Sequence, residues 1–189
     1  HSSILNIPGK HNLQNLLLAI AAAREIGLDD SSIAKSIKSF KSIPHRLEYL
    51  GKVNNLSFYN DSKATNFDSS ITGLKSVPHP IILLAGGIQK KGDFMPWVNQ
   101  IKQSTNGIVL FGLSANNLKE ELLISSYIGE IIVKKNLEEA TIASINIARE
   151  TNSRSILLSP ACASFDQYKN YEERGDHFKN LVKKYKLIK

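Results

Sequence analysis

Ile81-Ile82-Leu83-Leu84-Ala85-Gly86-Gly87 is the stretch on which the fold turns. Five apolar residues in a row, with no polar alternation and a glycine pair to end them, describe a strand covered on both faces. Gly107-Ile108-Val109-Leu110-Phe111 and Ser155-Ile156-Leu157-Leu158 repeat the pattern, and Ile131-Ile132-Val133 is a shorter version. Upstream, Leu47-Glu48-Tyr49-Leu50 and Leu56-Ser57-Phe58-Tyr59 read as neighbouring strands joined by a hairpin turn at Asn54-Asn55. Helical stretches lie between the later strands. One carries Leu137, Ala140, Ala143 and Ile147, and the last carries Phe178, Leu181, Val182 and Tyr185, each with the spacing of one buried stripe. Apolar strands alternating with amphipathic helices predict an α/β fold with a mainly parallel sheet.

The first 42 residues follow another rhythm. Pro8-Gly9-Lys10-His11-Asn12 opens a helix in which Leu13, Leu16, Leu17 and Ile20 recur at helical spacing, and Gly27 closes it. A second helix starts at Asp29-Asp30-Ser31, whose acidic and hydroxyl side chains suit an N-terminus, and carries Ile33, Ile37 and Phe40. Ser42-Ile43-Pro44 breaks the pattern. Residues 1–42 are therefore read as a helical unit and 43–189 as the α/β domain.

Bulk properties narrow the class. Hydrophobic content of 42% and charged content of 22% are those of an ordinary globular protein. No apolar run reaches the roughly 20 residues of a membrane helix. A single cysteine, Cys162, excludes an internal disulfide framework and fits a reducing cytosol. The chain begins His1-Ser2-Ser3 without an initiator Met, which suggests a fragment. The net charge of +7 invites a nucleic-acid reading, but the lysines are scattered apart from Lys183, Lys184, Lys186 and Lys189. Anionic small substrates would use the same charge.

In open α/β sheets the active edge lies past the carboxyl ends of the strands. Three polar segments fall there: Asn60-Asp61-Ser62-Lys63-Ala64-Thr65-Asn66, Gly86-Gly87-Ile88-Gln89-Lys90, and Ser159 to Gln167. In the first, Asp61 can accept from a ribose or a backbone, Lys63 can meet a phosphate and Thr65 can donate to a carboxylate. The plain alternative is a strand-to-helix loop with Thr65 or Asn66 as helix cap. Gly86-Gly87 lets backbone come close, to a ligand or within a structural turn. In the third, Cys162 as a nucleophile would need a neighbouring base, so a buried, inert thiol is the better reading. Ser164 is the better ligand contact, with Phe165 as an apolar wall. Arg46 has the fork for a phosphate or a base, or is a surface arginine at a hinge. No His/Cys spacing supports a zinc site.

Taken together the segments carry a resemblance. Gly9-Lys10-His11-Asn12 with Asn15, Pro44-His45-Arg46, Asn60 to Asn66, Gly86-Gly87 with Lys90, Leu158 to Gln167, and Glu173-Arg174-Gly175-Asp176 with Phe178 stand in the order of the Mur ligases. The chain resembles that family, and within it the branch that adds D-glutamate, along essentially its whole length. The resemblance implies a Rossmann-like C-terminal domain preceded by a helical tail of the central ATP-binding domain. It implies a cytoplasmic, monomeric ATP- and Mg2+-dependent amide ligase of peptidoglycan synthesis, acting on UDP-N-acetylmuramoyl-L-alanine and D-glutamate through an acyl phosphate.

Residue by residue, it places Asn12 and Asn15 beside the nucleotide, Arg46 on the ATP and Asp61 on its ribose. Lys63 becomes the catalytic lysine, reaching phosphate or orienting the amine. Thr65, Lys90, Ser164, Phe165 and Tyr171 form the D-glutamate pocket. Gln89 and Lys91 depart from the Asp and Gly common around the pocket lysine, and Tyr171 stands where Phe is common. No G-x-x-x-x-G-K-[ST] loop occurs in the chain, which predicts that it neither hydrolyses ATP nor forms the amide by itself. The competing readings are a related Mur or folylpolyglutamate ligase, and a basic α/β module for nucleic acid.

Overall fold

The computed structural model describes residues 10–40 and 43–187, and the chain falls into two compact units, His1–Ile43 and Pro44–Lys189. Pro8 and Gly9, which the sequence puts at the start of the first helix, lie outside the described residues, as does Ser42.

The first unit holds α1 (Lys10–Glu25) and α2 (Asp30–Ser39). Gly27 takes a positive φ of 84°, and its N–H donates to the Arg24 carbonyl, a left-handed stop that costs glycine little. Asp29 caps α2, its carboxylate accepting from the N–H groups of Ser31 and Ser32. Arg24 clamps Asp30 through Nε at 2.8 Å and Nη2 at 3.1 Å. Ile33 is buried, but Leu17, Leu18 and Phe40 stay half-exposed or more.

The second unit is a six-stranded sheet in the order β1-β2-β6-β3-β4-β5, with β1 (Glu48–Val53), β2 (Leu56–Asn60), β3 (Ile81–Gly86), β4 (Thr105–Phe111), β5 (Glu130–Lys134) and β6 (Ser155–Leu158). β1 is antiparallel to β2 through the Asn54-Asn55 turn, and the other pairings are parallel. Both turn asparagines have positive φ, as a tight hairpin of this hand requires.

The continuous apolar runs now have their cause. Along β3, Ile81, Leu83 and Ala85 enter one core while Ile82 and Leu84 enter the other, all at 0% exposure. The first core is roofed by α3 (Phe67–Ser76), α4 (Met95–Ser104) and α5 (Ala115–Ile124), through Leu74, Trp97, Ile101, Leu118 and Leu122. The second is roofed by α6 (Leu137–Glu150) and α7 (Tyr171–Leu187), through Leu137, Ala140, Ile147, Phe178 and Val182. A strand with helices on both faces can alternate sides without a polar residue.

That layering fixes where a ligand can enter. β3 leads into α4 on one face, whereas its neighbour β6 leads into α7 on the other. Two adjacent strands whose connections part in opposite directions leave a crevice at their carboxyl ends.

Candidate functional site

The three polar segments meet at that crevice, and each junction is a named bond. Ile88 and Ala163 form an isolated antiparallel bridge, each N–H donating to the other's carbonyl at 2.9 Å. The Gly86 N–H donates to the Pro160 carbonyl at 2.9 Å. Ser159 Oγ donates to Asp61 Oδ2 at 2.9 Å. The segments after β2, β3 and β6 are thus one structure rather than three loops that happen to be near.

The glycine pair is needed by the protein itself. A Cβ on Gly86, at φ 137°, would overlap the Phe111 carbonyl oxygen, and one on Gly87, at φ 124°, would overlap that of Ala163. Close backbone approach is the reason for both residues, as the sequence indicated, and the approaching group is neighbouring main chain.

In the first segment Asn66 is the helix cap, its side chain accepting from the Ser69 N–H at 2.9 Å. Asp61 is 5% exposed and turned inward: Oδ1 accepts from the Leu47 N–H at 3.2 Å and Oδ2 from Ser159. Burial pushes its carboxyl up to about 7, against the hydrogen bonds from Ser159 and Leu47 and the charge of Arg46. Lys63 is half-buried; its Nζ donates to Tyr171 Oη at 3.1 Å and lies 4.5 Å from the centre of that ring. Thr65 is half-buried and Arg46 exposed.

Lys90 and Lys91 are exposed and line a small cavity of about 140 Å³ with Asn66, Phe67, Asp68 and Asp93. The mouth of this cavity joins the second segment to the amino end of α3. In the third segment Ser164 is 2% exposed, whereas Phe165 is 69% exposed. Cys162 is buried and free, and burial pushes its thiol up to about 12, which leaves no thiolate at neutral pH. Asn12 and Asn15 belong to the first unit, one turn apart on α1.

Three residues of this region were given no role by the sequence. Arg174, at the start of α7, is 0% exposed and bonds to both the first and third segments. His45 is 6% exposed with a φ of 63°, and its Nδ1 lies 3.0 Å from Asn60 Nδ2. Asn60 also donates to Glu48 and to the Gly175 carbonyl. The clue available in the sequence was Gly175, since a Cβ there would overlap the His45 ring.

Among the described residues no three His, Cys, Asp or Glu side chains stand together as a metal site, and no helix is long and apolar enough to cross a membrane. Lysines and acidic side chains both line the cavity, Lys90 and Lys91 together with Asp68 and Asp93. Lys63 is bonded to Tyr171, and the Arg174 guanidinium to Ser62 and Cys162, at the ends of the first and third segments.

No family model matches the chain. It is 98% identical over its full length to a UDP-N-acetylmuramoylalanine–D-glutamate ligase of Prochlorococcus marinus strain NATL2A, covering 40% of that protein. The chain belongs to the Mur ligase family. A ligase of the same description from Crocosphaera subtropica is 46% identical over 96% of the Mur-ligase chain and 40% of its own length. The chain thus spans about 40% of the length of the curated relatives it matches. Among solved structures, a folylpolyglutamate synthase of Mycobacterium tuberculosis superposes with a TM-score of 0.71 over 94% of this chain and 41% of its own, at 14% identity. Likeness at that identity speaks for the α/β fold alone.

Proposed function

We propose that this chain is the C-terminal part of an ATP-dependent ligase that joins D-glutamate to UDP-N-acetylmuramoyl-L-alanine in the cytoplasm, as a monomer, for peptidoglycan synthesis. One observation carries the reading: near-identity along the full chain to a ligase so described, with the matching polar segments converging on one crevice. The first unit is the helical tail of the central ATP-binding domain. Its half-exposed Leu17, Leu18 and Phe40 support this, because an uncovered apolar stripe calls for more protein to pack on it.

The reaction has two stages. The muramoyl-alanine carboxylate attacks the γ-phosphorus of ATP, giving an acyl phosphate and ADP. The amine of D-glutamate then attacks the acyl carbon, and phosphate leaves from a tetrahedral intermediate. Negative charge gathers on phosphoryl oxygens first and on the carbonyl oxygen next, so cations held in fixed positions lower both barriers.

The chain's own residues fit these demands. Arg46, exposed at the entry to the α/β unit, is free to reach a nucleotide phosphate, and Asn12 and Asn15 serve the nucleotide from α1. Lys63 is held by the Tyr171 hydroxyl and ring, a tether that points its ammonium without neutralising it. Lys90, which lines the cavity at the amino end of α3, is assigned to a D-glutamate carboxylate, and Thr65, Ser164, Phe165 and Tyr171 are assigned to the same substrate by the resemblance. Asp61 serves the ribose only through lone pairs left over from Leu47 and Ser159, so holding the segment together is its larger task. Magnesium would supply charge neutralisation on the phosphates, and among the described residues no cluster of His, Cys, Asp or Glu stands ready to hold it.

Calorimetric titration of the intact protein with D-glutamate, L-glutamate and diaminopimelate tests this. D-Glutamate binding with no comparable heat from the other two supports it, and a preference for diaminopimelate overturns it. The basic nucleic-acid reading is tested by a labelled oligonucleotide at about 50 mM salt, where it requires binding.

A further inference from the structure

Arg174 is the largest charged side chain among the fully buried residues, and its bonds go in two directions. Nε donates to Ser62 Oγ at 3.0 Å, Nη2 to the Ser62 carbonyl at 2.8 Å, and Nη1 to the Cys162 carbonyl at 3.1 Å. Among the described residues no carboxylate lies within ion-pair distance of it. Asp166 acts on it only at longer range, and burial lowers the guanidinium to about 10, so it stays charged at neutral pH.

A buried cation satisfied by neutral acceptors is costly, and an apolar residue of similar volume would often serve stability as well or better. What an apolar residue could not do is hold two loops by a planar fork. Ser62 precedes Lys63, and its Oγ in turn donates to the Tyr171 carbonyl at 2.8 Å. Cys162 precedes Ala163, which bridges to Ile88, two positions before Lys90, and is followed by Ser164. A Cβ added to Gly87 would stand 3.3 Å from Nη1, so the guanidinium also lies close to the second segment.

We propose that Arg174 is the positioning residue of this site: its fork sets the spacing between the segment bearing Lys63 and the segment bearing Ser164, and its charge lies beneath them. The functional part of this rests on the D-glutamate reading above. Lysine keeps the charge but cannot supply three donors in one plane.

Arg174→Lys and the milder Ser62→Ala, both in the intact protein, test it by amide hydrogen exchange. Exchange at Lys63, Ile88 and Ala163 is expected to quicken at least about tenfold while Leu84 and Val109 in the sheet stay as they were. Unchanged exchange at those three amides, or an equal rise across the sheet, overturns the proposal. In steady-state kinetics of Arg174→Lys, KM for D-glutamate should rise about tenfold with KM for ATP within about twofold. A merely structural role would lower kcat by loss of folded enzyme and leave both KM values in place. Absence of ligase activity in the unsubstituted protein would remove the D-glutamate reading, whereas the exchange comparison would still decide whether Arg174 sets the loops.

Discussion

Asp61 and Ser159, 98 positions apart, share a buried hydrogen bond of 2.9 Å that ties the carboxyl end of β2 to that of β6. Ser159 passes the link on, since its carbonyl accepts from Ser70 Oγ, which in turn accepts from Trp97 Nε1. The Leu47 N–H on the other carboxylate oxygen connects the same pair to the segment that enters the α/β unit. The entry segment is thus bonded directly to the crevice.

Asp61 should leave a mark on stability against pH. Its carboxyl stands at about 7 in the folded protein against an ordinary 3.8. The folded state then binds more protons than the unfolded one between about pH 4 and 7. The contribution is fully present below pH 4 and declines as pH rises to about 7, by an amount on the order of 2–4 kcal/mol. Asp61→Asn cannot titrate, so urea midpoints taken from pH 4.5 to 7.5 should fall more steeply for the natural chain than for the variant. Parallel curves would refute this.

Lys63 offers a separable test, because Tyr171 holds it by a hydroxyl and by a ring. Tyr171→Phe keeps the ring and should cost at most several-fold in kcat/KM, whereas Tyr171→Ala should cost roughly tenfold or more. Steady-state assays of the intact protein compare the two. Equal losses would assign the tether to the hydroxyl alone.

Lys90→Ala should raise KM for D-glutamate by about tenfold or more with KM for ATP little changed, since a lost cation weakens the dicarboxylate most. Similar rises for both substrates would take Lys90 out of the amino-acid pocket.

Two glycines with positive φ should respond differently to alanine. Gly27→Ala has nothing within 4 Å of the new Cβ, so only backbone strain of about 1 kcal/mol is expected. Gly87→Ala adds overlap with the Ala163 carbonyl and should cost about 2–4 kcal/mol. Urea unfolding of the two variants decides it; equal losses would mean that the Ile88–Ala163 bridge yields without resistance.

The sheet was legible because strands buried on both faces need no polar residue, which made β3, β4 and β6 plain. The hairpin showed through Asn54-Asn55. The sequence assigned neither α4 nor α5, and the structure shows why: each is ten residues long and starts without a side-chain cap bond. β5 has an apolar Ile131-Ile132-Val133 centre like the inner strands, but it is an edge and only partly buried, and Glu130 and Lys134 at its ends are the charges that mark it. At the site, the three segments could be found from their place after strands, but not the bonds that unite them. Arg174 was missed because arginine is rarely fully buried, and nothing local reveals when it is. Asp61, a ribose contact by resemblance, also has two internal partners that no local pattern announces.

The crevice is proposed to receive D-glutamate in the intact protein. The most direct test is amide formation from UDP-N-acetylmuramoyl-L-alanine and ATP, with kcat/KM measured for D-glutamate, L-glutamate and diaminopimelate on one preparation. A preference for D-glutamate of about a hundredfold or more over either competitor is expected. Equal or better use of L-glutamate or diaminopimelate would contradict it.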